Sequence, residues 1–166
     1  LAYKNVMEDF SFRGMDNPDN YFDDEYRRFT SNHRSVLNSI AIALLDEEDK
    51  ERAADIMQLS LEKLPGNAIP YDLASGQAVP ILFELEMNEE ALDIIDKMSK
   101  RSVEMLDFYQ ETGRAMDREA SISTQMLRYF IPLLKEYGYE EKASQIQQEY
   151  ERVFGAMGGN TRMQRR

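Results

Sequence analysis

The feature that most constrains this chain is a pattern that occurs three times. Residues 41–53, 79–91 and 131–143 align without a gap, the second 38 residues after the first and the third 52 after the second. Leu44, Leu82 and Leu134 coincide, as do Glu51, Glu89 and Glu141, and Ala53, Ala91 and Ala143. A short polar stretch separates each leucine from its alanine. This is how a helical hairpin reads in sequence. The leucine faces inward from a first helix. The acid lies near the positive N-terminal end of the second. The alanine sits where the two backbones come nearest. Self-similarity of this kind marks a repeat architecture, in which each hairpin covers its apolar face with the next.

Apolar periodicity supplies the helices around these turns. Val36, Leu37, Ile40, Ala41, Leu44 and Leu45 form one stripe. Ala53, Ile56, Met57, Leu61 and Leu64 form a second, closed by Pro65, Gly66 and Asn67. A third helix is predicted from an N-cap at Asp72 to about Glu86, and a fourth from Glu89 to about Gln110, ahead of Gly113. A fifth runs from Arg118 to Tyr137, ahead of Gly138, and a sixth from Glu140 to Phe154. Pro80 and Pro132 share one repeat position inside their helices. Each removes a backbone hydrogen bond there, so a bend is expected in both. The expected fold is all-α, a right-handed array of antiparallel hairpins with about six helices over residues 23–154. Residues 1–22 are expected to be irregular, because Gly14 and residues 16–20 are turn chemistry. Residues 155–166, with Gly155, Gly158 and Gly159, are expected to form a flexible tail.

Seven of the seventeen aromatic residues precede residue 30. A segment this apolar needs a surface to rest on. Phe10, Phe12, Tyr21 and Phe22 are therefore assigned to a docking segment that meets either the helices that follow or a neighbour.

Charge narrows the function. The net charge is −11, and the last twelve residues hold three arginines and no acid, leaving −14 on residues 1–154. That field repels phosphate backbones and anionic lipid, so no nucleic-acid partner is expected. Without cysteine there is no disulfide, thiol nucleophile or zinc thiolate site. The longest apolar run, residues 40–45, is far too short to insert into a membrane. The chain begins at Leu1 and carries no signal-peptide pattern, and we expect it to be part of a longer protein.

The motifs that could carry chemistry read more simply as structure. His33 is the single histidine and has no companion ligands in sequence, so local packing or capping is expected. Asp16, Asp19, Asp23, Asp24 and Glu25 lack the alternating oxygens and central glycine of a calcium loop and suit turns and N-caps. Glycines 155–159 follow a helix instead of opening one, which is the wrong context for phosphate. Ser121, Ser123 and Thr124 have no base nearby in sequence. No catalytic, cofactor-binding or metal-binding residue is assigned, and the chain is not expected to be an enzyme by itself. The competing reading is a ligand-binding or enzymatic domain built on an acidic cleft.

Ala53, Met57, Ser60 and Pro65 resemble the small, bulky, small and proline positions of the second helix of a tetratricopeptide repeat. Ala91, Ile95 and Met98 follow the same order without the proline. In such arrays the first helices line a groove. The transferred register puts Asn38, Leu45, Phe83, Gln125, Arg128 and Lys135 there, where an amide and two cations suit an extended peptide or a carboxylate.

A second resemblance rests on residues 12–29, with Asp16-Asn17-Pro18-Asp19 and Tyr21-Phe22-Asp23-Asp24, then on Asn32-His33-Arg34, Leu64-Pro65 and Pro70-Tyr71-Asp72. This set is similar to the soluble C-terminal region of a bacterial family of multi-spanning membrane proteins of unknown function, related to protein O-mannosyltransferases. It covers roughly residues 1–100. The resemblance implies a domain on the periplasmic face of the inner membrane, whose partner is a protein, a peptide or the parent's own membrane domain. None of that family's catalytic residues maps onto this chain.

Overall fold

A computed structural model of the chain describes residues 2–114 and 118–160, and within them the structure is all-helical, with no strand. Helix α1 is a single turn, Ala2–Lys4, continued by a π-helical turn at Asn5–Asp9. Then follow α2 (Asp24–Asp46), α3 (Lys50–Lys63), α4 (Leu73–Glu84), α5 (Asn88–Thr112), α6 (Arg118–Glu136) and α7 (Glu140–Asn160). The chain divides into two compact units, Leu1–Ile94 and Ile95–Arg166. In the first, α2 packs against both α3 and α4; in the second, α6 packs against α7. Ala41, Ile56, Val79 and Leu82 centre the first core, and Leu106, Leu127, Phe130 and Leu134 the second. Full burial of such a side chain contributes about 1.5–3 kcal/mol. Helix α4 is apolar nearly all round, with eight of its twelve residues buried, as an interior helix must be.

The three repeated turns share one backbone geometry. The amides of Asp49, Met87 and Tyr139 donate to the carbonyls of Leu44, Leu82 and Leu134 at 2.8, 2.9 and 2.8 Å. One residue earlier, Glu48, Glu86 and Gly138 donate to Leu45, Phe83 and Lys135. Each of these three has positive φ, at 60°, 61° and 83°. This is the left-handed helix stop that satisfies the last carbonyls of a helix. The amides of Ala53, Ala91 and Ala143 then donate to Asp49, Met87 and Tyr139, closing the first turn of the next helix. All three alanines are fully buried.

Two of these turns place a glutamate where its Cβ is strained, and the third uses glycine. Replacing Glu48 or Glu86 by glycine should therefore stabilise the chain by about 0.5–1 kcal/mol each. Gly138→Glu should destabilise it by about 1 kcal/mol. Thermal midpoints of the three variants check the opposite signs.

Helix starts follow their caps. Asp23 accepts from the Tyr26 amide at 2.8 Å, so α2 begins three turns before the apolar stripe that predicted it. Asp72 caps α4 through a reciprocal pair with Ser75, at 3.0 and 3.2 Å. Helices α4 and α6 run on through Pro80 and Pro132. The expected irregular start is corrected over residues 2–9, which are helical. The expected end at Phe154 is also corrected, because α7 continues to Asn160. Glycine weakens a helix but stops it only when the chain reverses at that point. The remainder of the expected tail, residues 161–166, lies outside the described residues.

In the second unit, Arg152 of α7 grips Asp107 of α5 with two hydrogen bonds of 2.9 Å. That guanidinium holds the Asp107 carboxyl below its ordinary 3.8. A depressed carboxyl contributes stability above its unfolded value and loses it as pH falls through the folded one. Asp107→Asn should therefore lower the melting temperature at pH 7 and leave it nearly unchanged at pH 2, a difference read by melting both proteins at the two pH values.

Candidate functional site

The shared register separates the sides of each hairpin's first helix. Ser35, Leu73 and Gln125 correspond, as do Ser39, Gln77 and Tyr129, and Asp46, Glu84 and Glu136; all nine are exposed. The two flanks beside this outer face behave differently. On one flank, Asn38 and Gly76 are buried, as is Phe83, while Leu45 is half-buried. Asn38 Nδ2 donates to the Ala74 carbonyl at 2.8 Å, so this is the flank of α2 on which α4 sits. The corresponding residues of α6, Arg128 and Lys135, are exposed.

On the other flank, Ala74 and Ile81 of α4 are buried, and so are Met126 and Leu133 of α6. Their counterparts on α2 are Val36, which is 55% exposed, and Ala43, also exposed. Helix α2 thus leaves uncovered a flank that is buried in both other hairpins.

That flank is shaped by residues 2–15. Phe29, Asn32 and Val36 join Val6, Phe10 and Phe12 around an apolar hollow of about 270 Å³. Val36 and Ala43 join Tyr3, Glu47 and Arg52 around a second, of about 420 Å³. Tyr3 donates to Asp55 at 2.6 Å, which raises its phenol pKa, and the Arg52 guanidinium stands 5.5 Å from its ring. Phe12 and Met15 are buried. The Phe10 ring lies 4.9 Å from Phe12 and 5.3 Å from His33. His33 Nδ1–H donates to the Phe29 carbonyl at 2.7 Å, the local packing role expected of it.

The docking residues are therefore divided. Phe12 is an anchor, Phe10 is half exposed, Phe22 rests 5.4 Å from Tyr26, and Tyr21 projects at 87% exposure. The expected groove set needs correction. Asn38 and Phe83 are buried, Asn38 on the flank of α2 that seats α4. Gln125, Arg128 and Lys135 are exposed on α6. Val36 was expected on the inward stripe and is instead exposed, while Phe29 and Ala43, one and two turns from it on the same flank, were given no role. The signal that finds them is the comparison of Val36 with Ala74 and Met126.

Among the described residues, the carboxyls of Asp49 and Asp107 depart from their ordinary values, both lowered by arginine partners, Arg52 and Arg152. They serve as surface ion pairs. No group of three or more potential metal ligands occurs among the described residues. No helix there is long and apolar enough to cross a membrane. The chain matches no family model, no curated protein and no solved structure.

Proposed function

We propose that this chain is a non-catalytic helical-repeat interaction domain, a tetratricopeptide-like right-handed array that docks through its first hairpin. What supports the array is the turn that recurs three times with the same hydrogen bonds and the same inward alanine. The observation that carries the interaction reading is the uncovered α2 flank, with Phe10, Phe29 and Val36 exposed around an apolar hollow. Apolar surface gathered in one place is where proteins meet other proteins.

The setting proposed for it is the periplasmic, C-terminal part of a membrane protein related to glycosyltransferases. The partner there is the parent's membrane domain or a protein bound to it. The residues behind this setting, Arg34, Leu64, Pro70 and Asp72, join in one hydrogen-bonded cluster. The test is hydroxyl-radical labelling of Phe10, Phe29 and Val36 in the isolated domain and in the longer protein. Several-fold protection in the longer protein is expected, with Tyr129 unchanged as a control. Equal labelling of the three residues in both would reject the docking role.

A further inference from the structure

We propose that the cleft between α5 and α7 seats a tyrosine side chain of another protein. It belongs wholly to the second unit, apart from the α2 flank, and does not rest on the docking role of that flank.

The cleft has a volume of about 350 Å³, and Val103, Leu127 and Ile146 give it an apolar wall. That is the lower end of the range for ligand pockets, about 300–1,000 Å³, and suits one side chain better than a helix. Ser99 also lines it. Ser99 is 8% exposed, and its hydroxyl has no hydrogen-bond partner among the described residues. A buried hydroxyl in that state is unfavourable until a polar group reaches it. Two ion pairs tie α7 to α5 on either side, Lys142 with Asp96 at 2.6 Å and Arg152 with Asp107 at 2.9 Å. They hold the spacing of the two helices across residues 99–104 and 145–149.

The first unit shows what fits such a place. The repeat register pairs Ser99 with Leu61, Leu127 with Ser75, Gln145 with Asp93 and Ile146 with Ile94. Leu61, Ser75 and Ile94 line a space of only about 10 Å³, and Tyr71 lines it with them. The Tyr71 hydroxyl donates to Asp93 at 3.3 Å. Tyr71 comes from the loop that folds back after α3 ends at Lys63. Residues 102–110, at the same distance along α5, are helical instead and do not fold back. The second unit thus repeats the walls of a tyrosine seat whose first copy the chain fills itself.

Charge agrees with a neutral occupant. The lining carboxylates Asp96 and Glu149 are held by Lys142 and Arg152. Lys100 and Glu104 line the same cleft one turn apart with opposite signs. An aromatic ring suits the apolar wall, and a phenol hydroxyl suits the Gln145 amide, the counterpart of Asp93.

The test adds N-acetyltyrosinamide to the full chain and follows the methyl groups of Val103, Leu127 and Ile146 by nuclear magnetic resonance. Saturable shifts are expected, with half-saturation on the order of millimolar. N-acetylphenylalaninamide should bind roughly two- to tenfold more weakly, the loss of one hydrogen bond. N-acetyllysinamide should leave the three methyls unmoved. Ser99→Leu puts the first unit's leucine into the cleft and should abolish the shifts. Gln145→Ala, an exposed position, should reduce the tyrosine probe to the level of the phenylalanine probe. The proposal falls if the tyrosine probe moves none of the three methyls, if either competing probe binds as well, or if binding is undiminished in either variant once circular dichroism shows it folded. Tyr21 is 87% exposed. Self-association of the unaltered chain that Tyr21→Ala abolishes would make a second copy the occupant and overturn the choice of another protein.

Discussion

Arg34→Ala should cost about 3–5 kcal/mol, the largest loss of any single substitution outside the apolar core. Arg34 is 3% exposed, and its guanidinium is spent on one loop. One nitrogen donates to the carbonyls of Leu64 and Ile69 at 2.9 and 2.8 Å. The other donates to Pro70 at 3.1 Å and to Asp72 Oδ2 at 3.2 Å. The Tyr71 ring lies 5.6 Å from the same group, and against that ring Gly66 leaves no room for a Cβ, which would fall 2.7 Å away.

Burial alone lowers the pKa of this guanidinium, and Asp72 offsets part of that effect. Alanine would strand two interior carbonyls, leave a cavity and free the carboxylate that also caps α4. On a chain of this size the melting temperature should fall by on the order of 10 °C. Arg34→Lys keeps the charge but not the planar fork, so it should recover only part of the loss. Arg34→Met fills the space without donors and should stay near the alanine value. If methionine matched the native chain, the hydrogen bonds would not be what holds residues 64–72.

Ala91→Leu and Ala143→Leu should each cost about 1–3 kcal/mol, lowering the melting temperature by about 2–12 °C. Both alanines are fully buried in the first turn of a second helix, one in each compact unit. The extra atoms can be housed only by moving one helix of the hairpin away from the other. Ala43→Leu supplies the contrast. That alanine is exposed and opens onto the 420 Å³ hollow, so the same substitution should fall within about 0.5 kcal/mol of native. Equal effects at the three sites would refute the register that distinguishes them.

The hairpins were legible because a turn is a local event. Leucine, left-handed residue, cap and alanine all fall within ten residues, and each leaves its own trace. Asp72 could be read as a cap and Gly138 as a stop for the same reason. The flanks were not legible in one hairpin alone. Asn38 and Val36 stand on neighbouring stripes of α2, and both stripes mix polar and apolar residues. Only the neighbour that covers one of them, and the absence of such cover on the other, distinguishes interior from surface. Arg34 has no role legible in its Asn32-His33-Arg34 motif, since composition does not place an arginine in a core. Besides Asp72, its partners are backbone carbonyls of residues 64, 69 and 70, which have no identity in a sequence.

Helix α5 has 25 residues where its counterpart α3 has 14. The surplus of eleven is close to three whole turns of an α-helix. A length change of three turns brings every later side chain of that helix back to within about 20° of its former direction. The spacing of the repeats rises from 38 to 52 residues, by fourteen, and this helix supplies eleven of them. It also means that α5 is a place where the chain can grow or shrink by whole turns. Insertions or deletions of eleven residues inside α5 should be tolerated, whereas a change of nine would turn the following residues through half a revolution.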